Sequence, residues 1–354
     1  MSAPFVHLRL HSEYSITDGI ARIDDAVKAA AADGMPALAL TDLANVFGMV
    51  KFYKAARAKG VKPVIGCDVW IENETDRDKP HRLLLLCQSR GGYLNLCEQL
   101  TRAYRENQYR GRPELKREWL AGKSGEGLIA LSGAQSGDVG MALAAGNLKQ
   151  AQQYARAWAK ALPQRYYLEV QRLPQHAQAA AIEDVVQQTL QLASELKLPV
   201  AATHPVQFLR ADEFTAHEAR VCIAEGQMLA DQRRPRRFSA DQYFKSPAEM
   251  AELFADIPQA LANTFEIARR CNLSIELGKS RLPLFPTPAG KSLDDYLRER
   301  AQEGLAGRLA QLFPDEAARA ARVAEYEARL EFEIKTIIQM GFPGYFLIVA
   351  DFIN

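Results

Sequence analysis

The sequence predicts an α/β protein: a barrel-like domain over residues 1–275 and a mainly helical segment over 276–354. Three observations carry that expectation. Short β-branched or Leu-rich runs alternate with longer Ala-rich stretches of helical period, the pattern of parallel βαβ units. Polar and ionisable residues fall at the carboxyl ends of several runs, the edge where α/β domains place ligands and chemistry. The texture then breaks at Arg281-Leu282-Pro283-Leu284-Phe285-Pro286-Thr287-Pro288, whose three prolines suit neither a helix nor a central strand.

Strands are expected at residues 6–10, 37–40, 64–69, 83–86, 128–131, 167–170 and 200–203, each apolar and too short for a helix. Helices are expected at 24–32, 46–59, 148–162, 177–196 and 212–223. Beyond the proline-rich stretch come two helices with charged faces, 293–312 and 316–340, and then a turn at Met340-Gly341-Phe342-Pro343-Gly344-Tyr345. The last apolar run stops without a cap, so the natural protein is expected to continue past Asn354.

With 44 Lys+Arg against 43 Asp+Glu the net charge is +1, which excludes a body that coats nucleic acid by charge alone. A composition 48% hydrophobic and 25% charged excludes disordered and collagenous classes. The five cysteines (Cys67, Cys87, Cys97, Cys222, Cys271) form no CxxC pair and read as buried free thiols of a cytoplasmic protein. No signal peptide is visible and no apolar run approaches the ~18 residues that span a bilayer, so no membrane partner is expected. Gly-Lys-Ser triplets at 122–124, 278–280 and 290–292 carry Arg117, Leu273 and Phe285 where a phosphate loop needs glycine, and read as turns.

Six clusters could carry chemistry. Strand alternation puts His7, Arg9 and His11 on one face; two imidazoles there could hold a divalent metal, but the fixed charge of Arg9 between them repels a cation. Asp42 follows the second run and suits either a metal ligand or the cap of the next helix. Asp68 ends the third run, His81-Arg82 opens the fourth, Glu169 ends the sixth, and Thr203-His204-Pro205-Val206-Gln207 follows the last. Singly, each suits a solvated or capping role; together they have the distribution of an α/β metallohydrolase. The basic run Arg233-Arg234-Pro235-Arg236-Arg237, next to Phe238, is a candidate grip on phosphates or an acidic partner, with intramolecular salt bridges as the plainer reading.

These phrases come in a familiar order, together with Gly34-Met35-Pro36-Ala37-Leu38, Gly92-Tyr93-Leu94-Asn95-Leu96, Glu126-Gly127-Leu128-Ile129 and the closing Met340-Gly341-Phe342-Pro343-Gly344-Tyr345. Over essentially the whole chain they resemble the N-terminal region of the alpha subunits of bacterial DNA polymerase III, the replicative C-family polymerases. The resemblance implies that residues 1–275 form a PHP (polymerase and histidinol phosphatase) domain, a seven-stranded, metal-binding (β/α) barrel, and that 276–354 enter the polymerase palm. It implies DNA synthesis on primer-template DNA by palm aspartates that hold Mg2+ and lie beyond Asn354, so no catalytic residue of polymerisation is expected in this chain. It further implies a proofreading exonuclease (epsilon) subunit docked on the barrel, and a sliding clamp and clamp loader reached through the rest of the protein.

Carried over residue by residue, the family's metal ligands mostly fail. Arg9 interrupts the His-x-His of the first strand, Leu43 follows Asp42 in place of histidine, and Asp68 replaces a glutamate. Arg82 stands where a histidine opens the fourth strand, Leu173 replaces another, and Pro205 and Gln207 replace the final Asp-x-His. The expectation is a degenerate, metal-free scaffold with no cofactor in this segment. The alternative is a metal-dependent phosphoesterase or 3′-5′ exonuclease that keeps a reduced site from His7, His11, Asp42 and Asp68 with Glu169 or His204.

Overall fold

The computed structural model describes residues 5–279 and 282–353. The chain forms two compact units, Met1–Ile275 and Glu276–Asn354. The first contains strands β1 (Ala37–Leu40), β2 (Lys62–Ile71), β3 (His81–Cys87), β4 (Gln108–Tyr109), β5 (Arg112–Leu115), β6 (Leu128–Leu131), β7 (Tyr166–Val170) and β8 (Val200–Ala202). Its helices are α1 (Ile23–Ala32), α2 (Met49–Ala58), α3 (Arg90–Glu106), α4 (Asp138–Ala144), α5 (Leu148–Ala161), α6 (Ala179–Leu196), α7 (Phe214–Glu225), α8 (Pro247–Leu253) and α9 (Pro258–Arg270).

β1 runs parallel to β2, and β6, β7 and β8 form a parallel run. β3 lies between β2 and β6, antiparallel to both. The expectation of uniformly parallel βαβ units is corrected at this strand. Residues 72–80, which join β2 to β3, contain no helix, and so short a connection returns the chain as an antiparallel neighbour. Residues 5–11 have little regular strand pairing, yet they close the ring. The amides of Ala39 and Thr41 donate to His7 O and Leu10 O at 2.9 and 3.0 Å, and the His11 amide donates to Val206 O at 2.9 Å. The short β4–β5 hairpin continues from the end of β2, with Trp70 opposite Glu114.

Two apolar layers follow from this ring. Inside it, Leu8, Ala39, Val64, Leu84, Leu86, Ile129 and Leu131 pack together, and Ile267, Ala268 and Cys271 of α9 and its end belong to the same cluster. Outside it, Cys67, Val69, Leu85 and Ala130 pack against Ile23, Val27, Phe52, Leu96 and Trp158 from the helices. Helix α3 was not among the helices expected from the sequence. Ser89 caps it by accepting from the Gly92 amide at 3.3 Å. A Cβ on Gly92 would lie 1.8 Å from the Gly127 carbonyl, so only glycine lets the helix approach β6 this closely.

The second unit contains α10 (Leu293–Leu312), α11 (Glu316–Gln339) and α12 (Pro343–Ile353). Ser292 and Asp315 cap the first two through the amides of Asp295 and Ala318. The turn expected over 340–345 is shorter in the structure. Gly341 supplies the left-handed residue at φ +75°, and Pro343 already opens α12. Among the described residues, no single helix is long and apolar enough to cross a membrane.

The tight helix–strand approach has a direct test. Gly92→Ala is expected to cost on the order of 1–3 kcal/mol, read as a lower urea midpoint. Gly91→Ala, whose Cβ would meet only Ser89 Oγ at 3.7 Å, is the control expected to leave the midpoint in place.

Candidate functional site at the barrel mouth

Side chains alternate along each strand, so the inward positions can be followed from the apolar interior to the mouth. On β2, Val64 gives way to Asp68; on β7, Tyr167 to Glu169; after β8, Ala201 to Thr203. On the reversed β3 the order inverts, and Arg82 precedes Leu84. A layer of charge therefore caps a column of aliphatic side chains.

Arg9 enters this layer and binds two carboxylates at once. Its Nε and Nη2 donate to Glu169 Oε1 and Oε2, both at 3.0 Å, while Nη1 donates to Asp68 Oδ2. Arg82 Nε donates to Asp68 Oδ1 at 3.2 Å and its Nη2 to Oδ2; its guanidinium lies over the Trp70 ring, 4.4 Å from the centroid. His11 donates from Nε2 to Asp68 Oδ2 at 3.2 Å and from Nδ1 to Asp18 Oδ1 at 3.0 Å. Glu169 also accepts from the Gly133 amide at 2.9 Å, from Gln171 Nε2 at 3.1 Å and from the Thr203 hydroxyl. Three cations (Arg9, His11, Arg82) thus face three carboxylates (Asp18, Asp68, Glu169).

Electrostatics fixes the protonation of this cluster. Burial alone would depress His11, but the Asp18 and Asp68 carboxylates outweigh it and raise the imidazole to about 9. Burial would raise Asp68, yet Arg82, Arg9 and His11 hold it far below the usual carboxylate range. Asp18 is lowered mainly by His11, against its own burial. An imidazolium offers no lone pair to a metal, and both Asp68 oxygens already accept from cations.

The other expected candidates lie elsewhere. Asp42 accepts the Ser12 amide at 2.6 Å and the Ser12 hydroxyl at 3.0 Å, and burial pushes its carboxyl up to about 6. It anchors the loop after β1 and does not cap α2, whose N-cap is Gly48; the capping expectation is corrected. His7 Nε2 donates to Lys245 O at 2.7 Å, its ring packs on Phe5 and Phe244, and burial lowers it to about 4. His204 donates likewise to Asp241 O at 2.8 Å. His81, out of phase with Arg82, lines a cavity of about 480 Å3 together with Arg117 and Tyr154. Of the reduced metal set, then, His11 bonds to Asp68 and the His7 and His204 rings lie 6.5 Å apart between centroids, but Arg9 stands between Asp68 and Glu169, and His7, His204 and Asp42 bond to other partners. Among the described residues, no group of three or more His, Cys, Asp or Glu is placed to hold a metal ion.

Within the basic run, Arg234 is corrected from a contact candidate to an internal one: its side chain is 7% exposed and pairs with buried Glu218. Arg233 pairs with Asp231, Arg237 with Glu225, and Arg236 meets Gln232. Among the described residues, five buried carboxylates were missed in the sequence: Asp18, Glu114, Asp138, Glu218 and Asp241. Asp18 lies in Thr17-Asp18-Gly19, a turn that could have marked it. Asp138, which accepts from Arg117 at 2.7 Å and from the Trp158 indole at 2.8 Å, carries no such signal. Neither does Glu114, held by Arg77 and Arg112.

Residues 7–173 match the PHP domain family, and residues 295–354 match the family described as bacterial DNA polymerase III alpha NTPase domain. The chain is 53% identical over 351 residues to the DNA polymerase III subunit alpha of Neisseria meningitidis serogroup A, covering 99% of this chain and 30% of that protein. It is 47% identical over 355 residues to the Escherichia coli subunit, covering 100% and 30%. Among solved structures it is similar to an amidohydrolase from Chromobacterium violaceum, with TM-score 0.42 and 14% identity over 61% of this chain and 96% of that one. The chain therefore spans about 30% of the length of the curated relatives it matches, and its first unit has a PHP-type fold.

The state of His11 gives stability a defined pH dependence. Folded His11 keeps its proton to about pH 9 while the unfolded imidazole releases it near 6.5. Its contribution is complete below pH 6.5 and lost as pH rises through about 9, on the order of 3 kcal/mol. The urea midpoint is expected to fall across that window, and His11→Gln to flatten the fall. A wild-type midpoint that stays level would contradict the assignment.

Proposed function

Because the chain is related along its whole length to the alpha subunits of bacterial DNA polymerase III, we propose that it is part of a replicative DNA-directed DNA polymerase whose barrel is a metal-free scaffold. The observation that carries this reading is the double grip of Arg9 on Glu169 and Asp68. A fixed guanidinium occupies the space between carboxylates that a divalent cation would need, and His11 is held as a cation beside them. The residues present do not fit a metal. Hydrolysis would need a metal-bound water or a free base near pH 7, and this cluster supplies neither.

The polymerase chemistry belongs to the part of the protein outside these residues. There, Mg2+ held by palm aspartates would align a primer 3′-hydroxyl with an incoming deoxynucleotide on primer-template DNA. The barrel's own task in this reading is mechanical: a rigid, charge-neutralised body that docks the proofreading exonuclease subunit, with the sliding clamp and clamp loader engaged by the remainder of the protein. Closure of the mouth by ion pairs supports the reading, since it makes the barrel self-sufficient without a cofactor.

Elemental analysis of the chain purified without chelators is expected to give far less than one zinc, manganese or iron per chain; about one per chain would overturn the metal-free reading. Mixed with the exonuclease subunit of the same bacterium, the chain is expected to co-elute on size exclusion. Separate elution at micromolar concentrations would remove the docking role.

A further inference from the structure

Helix α7 is apolar on more than one face, so burying one side leaves another bare. Its buried residues are His217, Glu218, Val221 and Cys222. The loop over residues 226–238 folds back along the helix, where Arg234 pairs with Glu218, and Arg237 with Glu225 at 3.0 Å. The other side stays open: Ile223 is 77% exposed, Met228 76% and Leu229 43%. The helix ends at Gly226, φ +66°, where the Gln227 amide donates to Cys222 O at 2.8 Å, so the three apolar residues flank a single chain reversal.

The charge around this patch is one-sided. Residues 214–238 contain five arginines and three carboxylates. Among the described residues, Arg236 meets only the Gln232 side-chain oxygen, at 3.2 Å. Arg220 lies one turn before Ile223; its Nε is buried and has no acceptor among the described residues. Arg233 pairs with Asp231 but is 91% exposed. An unpaired guanidinium beside bare apolar side chains needs a carboxylate more than it needs further hydrocarbon.

We propose that this surface docks an acidic segment of a partner protein that also carries apolar side chains. Its apolar residues would cover Ile223, Met228 and Leu229, and its carboxylates would meet Arg220, Arg233 and Arg236. An apolar centre containing Met with arginines at its edge has the composition of a protein interface. A nucleic-acid backbone would use the arginines and gain nothing from the exposed apolar residues. A second copy of this chain would bring two arginine-rich patches together, which like-charge repulsion disfavours. The inference is independent of whether the barrel mouth holds a metal.

Random peptides displayed on phage and selected against the purified chain are the probe, with fluorescence anisotropy of the enriched peptide as the readout. The enriched peptides are expected to combine Asp or Glu with Leu, Phe or Trp. Ile223→Ser and Arg236→Glu, both surface changes, are each expected to weaken binding about tenfold or more at unchanged thermal midpoint. Lys28→Ala, at an exposed position of α1, is expected to leave it unaltered. The proposal is overturned if no peptide is enriched, if the peptides lack an acidic bias, or if binding ignores both substitutions. It is equally overturned if the same substitutions abolish binding of a single-stranded oligonucleotide while peptides do not bind.

Discussion

A guanidinium buried between two carboxylates imposes terms on everything around it. Without Arg9, Asp68 and Glu169 would face each other across a low-dielectric space, and Glu169 would be left with neutral donors alone. Several features of the mouth follow. Arg82 and His11 share Asp68, Asp18 compensates His11, and the Gly133 amide and Thr203 hydroxyl take up the remaining acceptor capacity of Glu169. In a metal-binding barrel a cation would organise such a ring of acids from its centre. Here the organising charge is covalently part of the chain, and it arrives from residues 5–11, the segment with the least regular strand pairing.

The reversed β3 completes that arrangement. Had it run parallel to β2, its first residues would lie at the closed end of the barrel, and Arg82 could not reach Asp68. The antiparallel register, with Arg82 opposite Trp70 two residues beyond Asp68, puts the guanidinium on Asp68 and over the indole ring together. The nine-residue helix-free link over 72–80 is what produces the reversal, so a connection on the surface decides the chemistry of the interior.

Much of this was legible in the sequence, and the limits were physical. Six of the seven expected strand segments recur as strands, because buried runs of Leu, Val, Ile and Ala between turn residues have few alternatives, while 6–10 is held only by isolated backbone bonds. Helix α5 was found almost to the residue, because Ala151, Ala155 and Trp158 keep helical spacing. Helices α8 and α9 were missed although Pro247 and Pro258 sit in the first turn, where proline is favoured. Within the site, the repulsive role of Arg9 could be read from strand alternation and its fixed charge, and the wrong phase of His81 from the resemblance, which puts a ligand at the position of Arg82. Which acid each cation would meet could not. That depends on the register of β2 against β3 and on a loop that carries Asp18 back to His11, both set by long-range packing. The second unit shows the same limit: α10 and α11 were read well but α12 was not expected, and among the described residues only Leu297, Leu309, Ile334, Pro343 and Leu347 are buried. A thin core of that kind supplies little hydrophobic stabilisation.

Whether Arg9 holds the mouth by neutralising Glu169 is decided most directly by comparing urea unfolding of Arg9→Met with that of Arg9→Met/Glu169→Gln. Removing the guanidinium alone leaves a buried carboxylate uncompensated and is expected to cost about 3–5 kcal/mol. Neutralising the carboxylate as well is expected to recover a substantial part of that loss, so the double variant is more stable than the single one. A double variant whose loss is the sum of two independent losses, or an Arg9→Met chain as stable as the wild type, would contradict the account.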